Sequence, residues 1–278
     1  MQSKIEKKYR YFTKTALAVS FSALFWAGAT TLAASQGLAS HRAVYDLTLN
    51  QIKEGGGVLD ATGRIVLEIK RECDGYVTRQ RMLVDIQRQG GGGVVSDFNF
   101  SSWESLDGNQ LRFTSSDTIN GQVAEMFDGF ANANGTDNVV TFNDADKTKM
   151  DLPNDVMFPM THTINVLDAA RKGLPLLSAR VFDGSGMEGS QDSLTIISKK
   201  GGQRSEIIQQ SKMNGMRFWP IQMSFFDLRE RKDEPDYNIH LQMYENGVGD
   251  NLTLNYQDFS LKGKLTKLDL LNDPDCKN

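Results

Sequence analysis

The sequence predicts a mainly β fold with one substantial helix near its middle. Three observations predict it. Apolar and polar residues alternate along most of the chain, turn signals punctuate that alternation, and only two cysteines are present, Cys73 and Cys276, far apart. In an oxidising compartment a lone pair of this kind is expected to form one disulfide, which brings the early part of the chain to its last residues.

The compartment is read from the N-terminus. Lys4, Lys7, Lys8, Arg10 and Lys14 precede an apolar stretch from Ala16 to about Ala34, and small residues close it. This is the pattern of a secretory signal, with cleavage after Ala33, Ala34 or Ala39. The competing reading is an uncleaved anchor, since the apolar run approaches the ~20 residues of a membrane span. The expected organisation is therefore a signal over residues 1–39 and one β domain over 40–278. No cysteine sits near the signal exit, so there is no lipoprotein attachment site. Without the signal, five of the 31 Lys and Arg and one of the 35 Asp and Glu are lost, leaving 26 against 34, a formal charge of −8. That acidity argues against nucleic acid and against electrostatic docking to anionic lipid. No second long apolar run exists, so the mature chain is not expected to span a membrane.

Strands follow in order. Ile65, Leu67 and Ile69 face one way, with Arg64, Glu68 and Lys70 the other. Leu83 to Gln87 continues after the Cys73-Asp74-Gly75 turn. Phe98 and Phe100 alternate with Asp97 and Asn99, and Leu111 and Phe113 follow the Asp107-Gly108-Asn109 turn. Later, Ile239, Leu241 and Met243 run into Asn246-Gly247, a strong hairpin signal, and Leu252, Leu254 and Tyr256 answer it. Roughly a dozen strands result, at the ~8–12-residue spacing of a sandwich or barrel. Met160 to Lys172 breaks the alternation, with Ile164, Leu167 and Ala170 at helical spacing. Thr161 or Thr163 is the expected cap, and Gly173 and Pro175 stop the helix. Such a helix is expected to pack on the concave face of the sheet and fill its interior.

No motif specifies a reaction. Gly184-Ser185-Gly186-Met187-Glu188-Gly189 matches G-x-G-x-x-G, but the residues after it read as a strand, so the phosphate-cradling helix is missing and the segment reads as a turn. The three histidines, His41, His162 and His240, stand in no metal-ligand spacing, and neither a metal nor a cofactor is expected. His162 lies at the helix start with no positioned nucleophile. The acidic groups Asp144, Asp146 and Asp151, and Asp233, Glu234 and Asp236, fit solvated loops better than calcium or acid–base sites. The cysteines lack C-x-x-C spacing, so a structural bridge is favoured over a redox pair.

Several stretches resemble the EipB family of cell-envelope-integrity proteins of the Gram-negative periplasm. They are His41-Arg42-Ala43-Val44-Tyr45-Asp46-Leu47, Leu152-Pro153 through Phe158-Pro159-Met160-Thr161-His162-Thr163, Val181-Phe182-Asp183-Gly184, and the two distant cysteines. The resemblance implies a many-stranded antiparallel sheet that spirals into an open barrel around one central α-helix, similar to the lipoprotein carriers LolA and LolB and the sensor RseB. It implies a role in envelope integrity and stress resistance, and a Cys73–Cys276 disulfide. It carries over no catalytic residue.

The function read from this is a non-enzymatic periplasmic protein that binds a lipid, a lipoprotein or a periplasmic protein partner. A groove between helix and sheet is the expected site, with Met157, Phe158, Met160, His162, Phe218 and Trp219 as its lining; Met213, Met216 and Met223 are further candidates. The bland reading of the same side chains is ordinary core. Two alternatives are an envelope-polymer hydrolase using His162 beside Asp151 and Asp155, and a stress sensor whose state follows the disulfide.

Overall fold

The structure is a computed structural model; it describes residues 37–276 apart from 54, 56, 188, 200 and 228–233. Residues 1–36 of the predicted signal lie outside these residues; its last three lie within them, with Leu38 buried in the core and the Ala39 N–H donating to the Asn246 carbonyl at 2.9 Å. The first half of the chain is a run of long strands: β1 (His41–Ile52), β2 (Val58–Arg71), β3 (Gly75–Arg88), β4 (Gly93–Ser105), β5 (Gln110–Ile119), β6 (Gln122–Ala133), β7 (Asn138–Phe142) and β8 (Lys149–Asp151). The two-residue strand β9 (Val156–Met157), helix α1 (Pro159–Arg171), β10 (Leu176–Val181) and β11 (Gln191–Ile197) come next. A one-turn helix α2 (Glu206–Gln209), which the sequence pattern did not reveal, precedes β12 (Phe218–Asp227), β13 (Tyr237–Tyr244), β14 (Gly249–Asn255) and β15 (Phe259–Leu270).

All fifteen strands belong to one sheet, in the order β8-β7-β6-β5-β4-β3-β2-β1-β15-β14-β13-β12-β11-β10-β9. Every described pairing is antiparallel except β9 with β10, where α1 makes the crossover that a parallel pair requires. The two outermost strands, β8 and β9, are consecutive in the chain. The connection over residues 152–155 reaches at most about 17 Å, so the ends of this wide sheet must lie close together. The sheet is thus curled into an open, barrel-like spiral. The first and last strands meet at its centre: β1 pairs with β15 from His41 opposite Leu270 to Ile52 opposite Phe259.

The alternation read from the sequence sets the faces. In β1, His41, Ala43, Tyr45 and Leu47 are buried, and Arg42, Val44 and Asp46 point the other way. The inward residues form three clusters. One packs α1 residues Met160, Val166, Leu167, Ala169 and Ala170 against Ile69, Tyr76 and Trp219. A second packs Ile208 and Met213, from α2 and the segment after it, against Leu47, Ile65 and Leu265. The third gathers Phe113, Phe142, Phe158 and Phe182. Glycine permits close approach at Gly63 in β2, where a Cβ would collide with the Leu83 carbonyl of β3. Gly184 combines a positive φ of 78° with a built Cβ only 2.5 Å from Phe113.

α1 starts differently from the expectation. Its N-cap is Phe158, which makes no side-chain cap bond; Pro159 occupies the first turn, and Thr163 turns its hydroxyl back to the Pro159 carbonyl. The cap comes from across the spiral. Glu104 of β4 accepts the Met160 and Thr161 backbone N–H groups, each at 2.7 Å, and the Thr161 hydroxyl at 2.6 Å. Gly173, at φ 73°, ends the helix region as expected.

Cys73 and Cys276 are joined, with Cα atoms 5.5 Å apart. Cys73 sits in the β2–β3 turn, in the body of the sheet and not at an edge. The bridge therefore pins the C-terminal tail across the ends of β1 and β2; joining the two halves of the sheet falls to the β1–β15 pairing. Ser40 reinforces the tail: its carbonyl accepts Leu271 N–H at 2.8 Å and its hydroxyl donates to Asp273 at 2.6 Å.

Two stability measurements check these contacts. Urea unfolding of Glu104→Ala is expected to show a loss of about 3 kcal/mol, because buried donors lose a charged acceptor. Glu104→Gln, which keeps one acceptor oxygen, is expected to lose less. The Cys73→Ser/Cys276→Ser double variant closes no loop in the unfolded chain and is expected to lose up to about 5 kcal/mol.

Candidate functional site

The six side chains predicted to line a groove are spread over several packing clusters and do not line one cavity wall together. Phe158 is fully buried with Phe113 and Phe182. Met160 and Trp219 belong to the α1 cluster, and Phe218 packs on Tyr244 with ring centroids 5.2 Å apart. Met157 meets the Asn165 amide through its sulfur at 3.6 Å. His162 is 4 % exposed, 3.4 Å from the Ser193 hydroxyl and edge-on to Phe225. Phe158, Met160, His162 and Trp219 are buried in a sheet occupied by α1, the α2 segment and the phenylalanine cluster, whereas Met157 and Phe218 are partly buried. Met213 is fully buried, and Met216 and Met223 pack against the same core.

The proposed acid–base cluster does not assemble either. Asp155 pairs with Arg180 at 2.9 Å, Arg180 also holds Asp192 at 3.1 Å, and Asp151 is exposed at the end of β8. Burial lowers the His162 pKa to about 4, so its ring is neutral at pH 7. Among the described residues, no group of three or more His, Cys, Asp or Glu is placed to hold a metal ion.

Two open concavities lie on the other face of the sheet. One hollow of about 450 Å³ is bounded by Arg42, Glu68, Arg79, Arg81, Asn99 and Ser116. Another, of about 240 Å³, is bounded by Trp103, Arg112, Asp128, Phe130 and Asn143. Ser101 and Thr114 line both, so they form one trough across the strands.

Strand register arranges the trough in rows. The first runs Arg42, Glu68, Arg79, Ser101, Thr114 and Asp128 across β1 to β6. The second runs Val44, Val66, Arg81, Asn99, Ser116 and Met126. A third, at the far side, places Trp103 opposite Arg112 and Arg112 opposite Phe130. Arg81 grips Asp97 through two bonds of 2.9 and 2.7 Å, which holds the Asp97 carboxyl below its usual range. Arg112 lies over the Trp103 ring at 5.1 Å. Arg79 reaches Glu68 at 3.3 Å.

None of these residues stood out in the sequence. The only signal was alternation, as in Arg79-Gln80-Arg81, which says that two side chains share a face but not which strands lie beside them.

The comparisons with known proteins agree with this architecture. The family model described as EipB-like matches residues 32–272. The chain belongs to this family. It is 30 % identical over 269 residues to the cell envelope integrity protein EipB of Brucella abortus, covering 93 % of this chain and 95 % of that one. It is also similar to the crystal structure of a beta-barrel-like protein of domain of unknown function DUF1849 from Brucella abortus. That match has a TM-score of 0.79 at 28 % identity and covers 85 % of this chain and 99 % of that one. The family and the open β spiral expected from the sequence are therefore both established.

Acid titration tests the burial of His162. Below pH 6.5 the unfolded chain binds a proton that the folded ring refuses until about pH 4. The stabilisation is complete above pH 6.5 and is lost as the pH falls to 4, by about 3 kcal/mol. His41 and His240 are shifted the same way by burial and add to the loss. In urea unfolding between pH 7 and 4.5, His162→Gln is expected to show a flatter pH dependence than the parent chain.

Proposed function

We propose that this protein is a non-catalytic periplasmic protein that supports envelope integrity by binding an envelope component on the outer face of its sheet. Export would follow removal of a leader over residues 1–39, leaving one domain over 40–278. The observation that carries the reading is the contrast between the two faces. The interior is filled by α1, Ile208, Met213 and the phenylalanine cluster, while the outer face holds a trough rich in unburied Arg, Ser and Thr. The related Brucella protein's name supports the envelope role, and the packed interior favours a surface partner over an acyl chain held inside.

The hydrolase reading has one contact in its favour, the His162–Ser193 approach. Both side chains are buried, at 4 and 2 % exposure, and open onto neither hollow. The sensor reading has the exposure of Cys73 and Cys276 in its favour. Complementation of a deletion strain under a cell-wall antibiotic separates the three. Ser193→Ala and the double cysteine variant, if folded, are expected to restore resistance. Arg79→Glu/Arg112→Glu, which alters only the exposed trough, is expected to fail. Loss of resistance with folded Ser193→Ala, or full rescue by the double arginine variant, contradicts the reading.

A further inference from the structure

We infer that the trough is a binding site for a neutral glycan strand lying across β1 to β6. The inference rests on the outer face being the working surface and names the ligand class that this surface takes.

Polarity comes first. The first row alternates donors and acceptors: the guanidinium of Arg42, the carboxylate of Glu68, the guanidinium of Arg79, the hydroxyls of Ser101 and Thr114, and the carboxylate of Asp128. A sugar ring presents vicinal hydroxyls, each both donor and acceptor, so it uses both kinds of partner at once. Part of this capacity is engaged, Glu68 with Arg79 and Lys70 and Asp128 with Asn143. The hydroxyls of Ser101, Thr114 and Ser116 make no hydrogen bond to protein among the described residues, and Arg42 and Arg112 have no ion pair there.

Charge selects further. Along the first row Arg42 and Arg79 stand with Glu68 and Asp128, and in the second Arg81 is held by Asp97; Asp269, opposite Arg42 on β15, is paired with Lys267 at 3.1 Å. A balanced row gives no net attraction to an anionic polymer, and its carboxylates repel one. A nucleic acid or an anionic lipid surface is therefore a poor match.

Shape is the third constraint. The row crosses six strands at ~4.8 Å spacing, about 24 Å in all, so equivalent groups recur at close to the repeat of a pyranose chain. The trough is bounded at one side by Phe130, flat apolar surface of the kind that packs against the C–H face of a sugar, and by Trp103, whose ring carries Arg112 at 5.1 Å.

The test uses the full mature chain and three β-1,4-linked hexamers of similar backbone: chitohexaose, which is neutral, the glucosamine hexamer, which is cationic, and hexamannuronate, which is anionic. Titration calorimetry is expected to show chitohexaose binding at least tenfold tighter than either charged hexamer. Raising NaCl from 50 to 500 mM is expected to change that affinity less than twofold. Arg79→Ala and Thr114→Ala, both exposed and outside the core, are each expected to weaken it at least fivefold with unchanged thermal unfolding. Absent chitohexaose binding, tighter binding of a charged hexamer with strong salt dependence, or affinity unmoved in both variants overturns the inference. If Arg79→Glu/Arg112→Glu fails to restore antibiotic resistance while chitohexaose does not bind, the outer-face reading stands and the glycan assignment falls.

Discussion

A single carboxylate decides whether this chain can place a helix inside its sheet. The first turn of any helix leaves backbone N–H groups without intrahelical partners, and in a packed interior no water reaches them. Phe158 and Pro159 supply no capping oxygen from the helix's own sequence. Glu104 supplies it from β4, meeting Met160 and Thr161 with both of its oxygens. Burial pushes the Glu104 carboxyl above its ordinary pKa, and the three hydrogen bonds pull it back. The positive end of the helix dipole favours the same charge. Because the contact fixes where α1 begins, it also fixes which face presents Val166 and Leu167 to the sheet.

The rest of the interior follows from that placement. α1 takes the middle, the α2 segment delivers Ile208 and Met213 to one core cluster, and Phe158 and Phe182 complete another. Side chains that could have walled a lipid-carrying groove are used up in packing. A spiral of this width still offers a large opposite face, and the length of β2, β3 and β4, 14, 14 and 13 residues, makes that face broad. Binding chemistry therefore falls to residues whose neighbours are set by strand register.

Much of the architecture was legible beforehand, for local reasons. Alternation at Ile65, Leu67 and Ile69 marks a half-buried strand wherever it lies. Asn246-Gly247 forms the β13–β14 turn because glycine takes its φ of 89° without strain. Gly173 and Pro175 stop a helix regardless of what surrounds it. The α1 cap was not legible, because Thr161 satisfies every local rule for capping and is itself a donor to a residue 57 positions away. Whether a side chain lines a groove was not legible for a related reason: Met and aromatic side chains at helical or strand spacing are apolar whether they line a cavity or fill it.

By itself, the sequence determined most of the strands, the principal helix and the turns, which rest on residue type and short-range spacing, and the pairing of its only two cysteines, which rests on their number. Only the tertiary structure decided that Cys73 lies in the body of the sheet, that Glu104 caps α1, and that four arginines from β1, β3 and β5 share one trough. Those outcomes depend on which strands become neighbours. Neighbours are chosen by the curl of the whole sheet, and no local pattern encodes it.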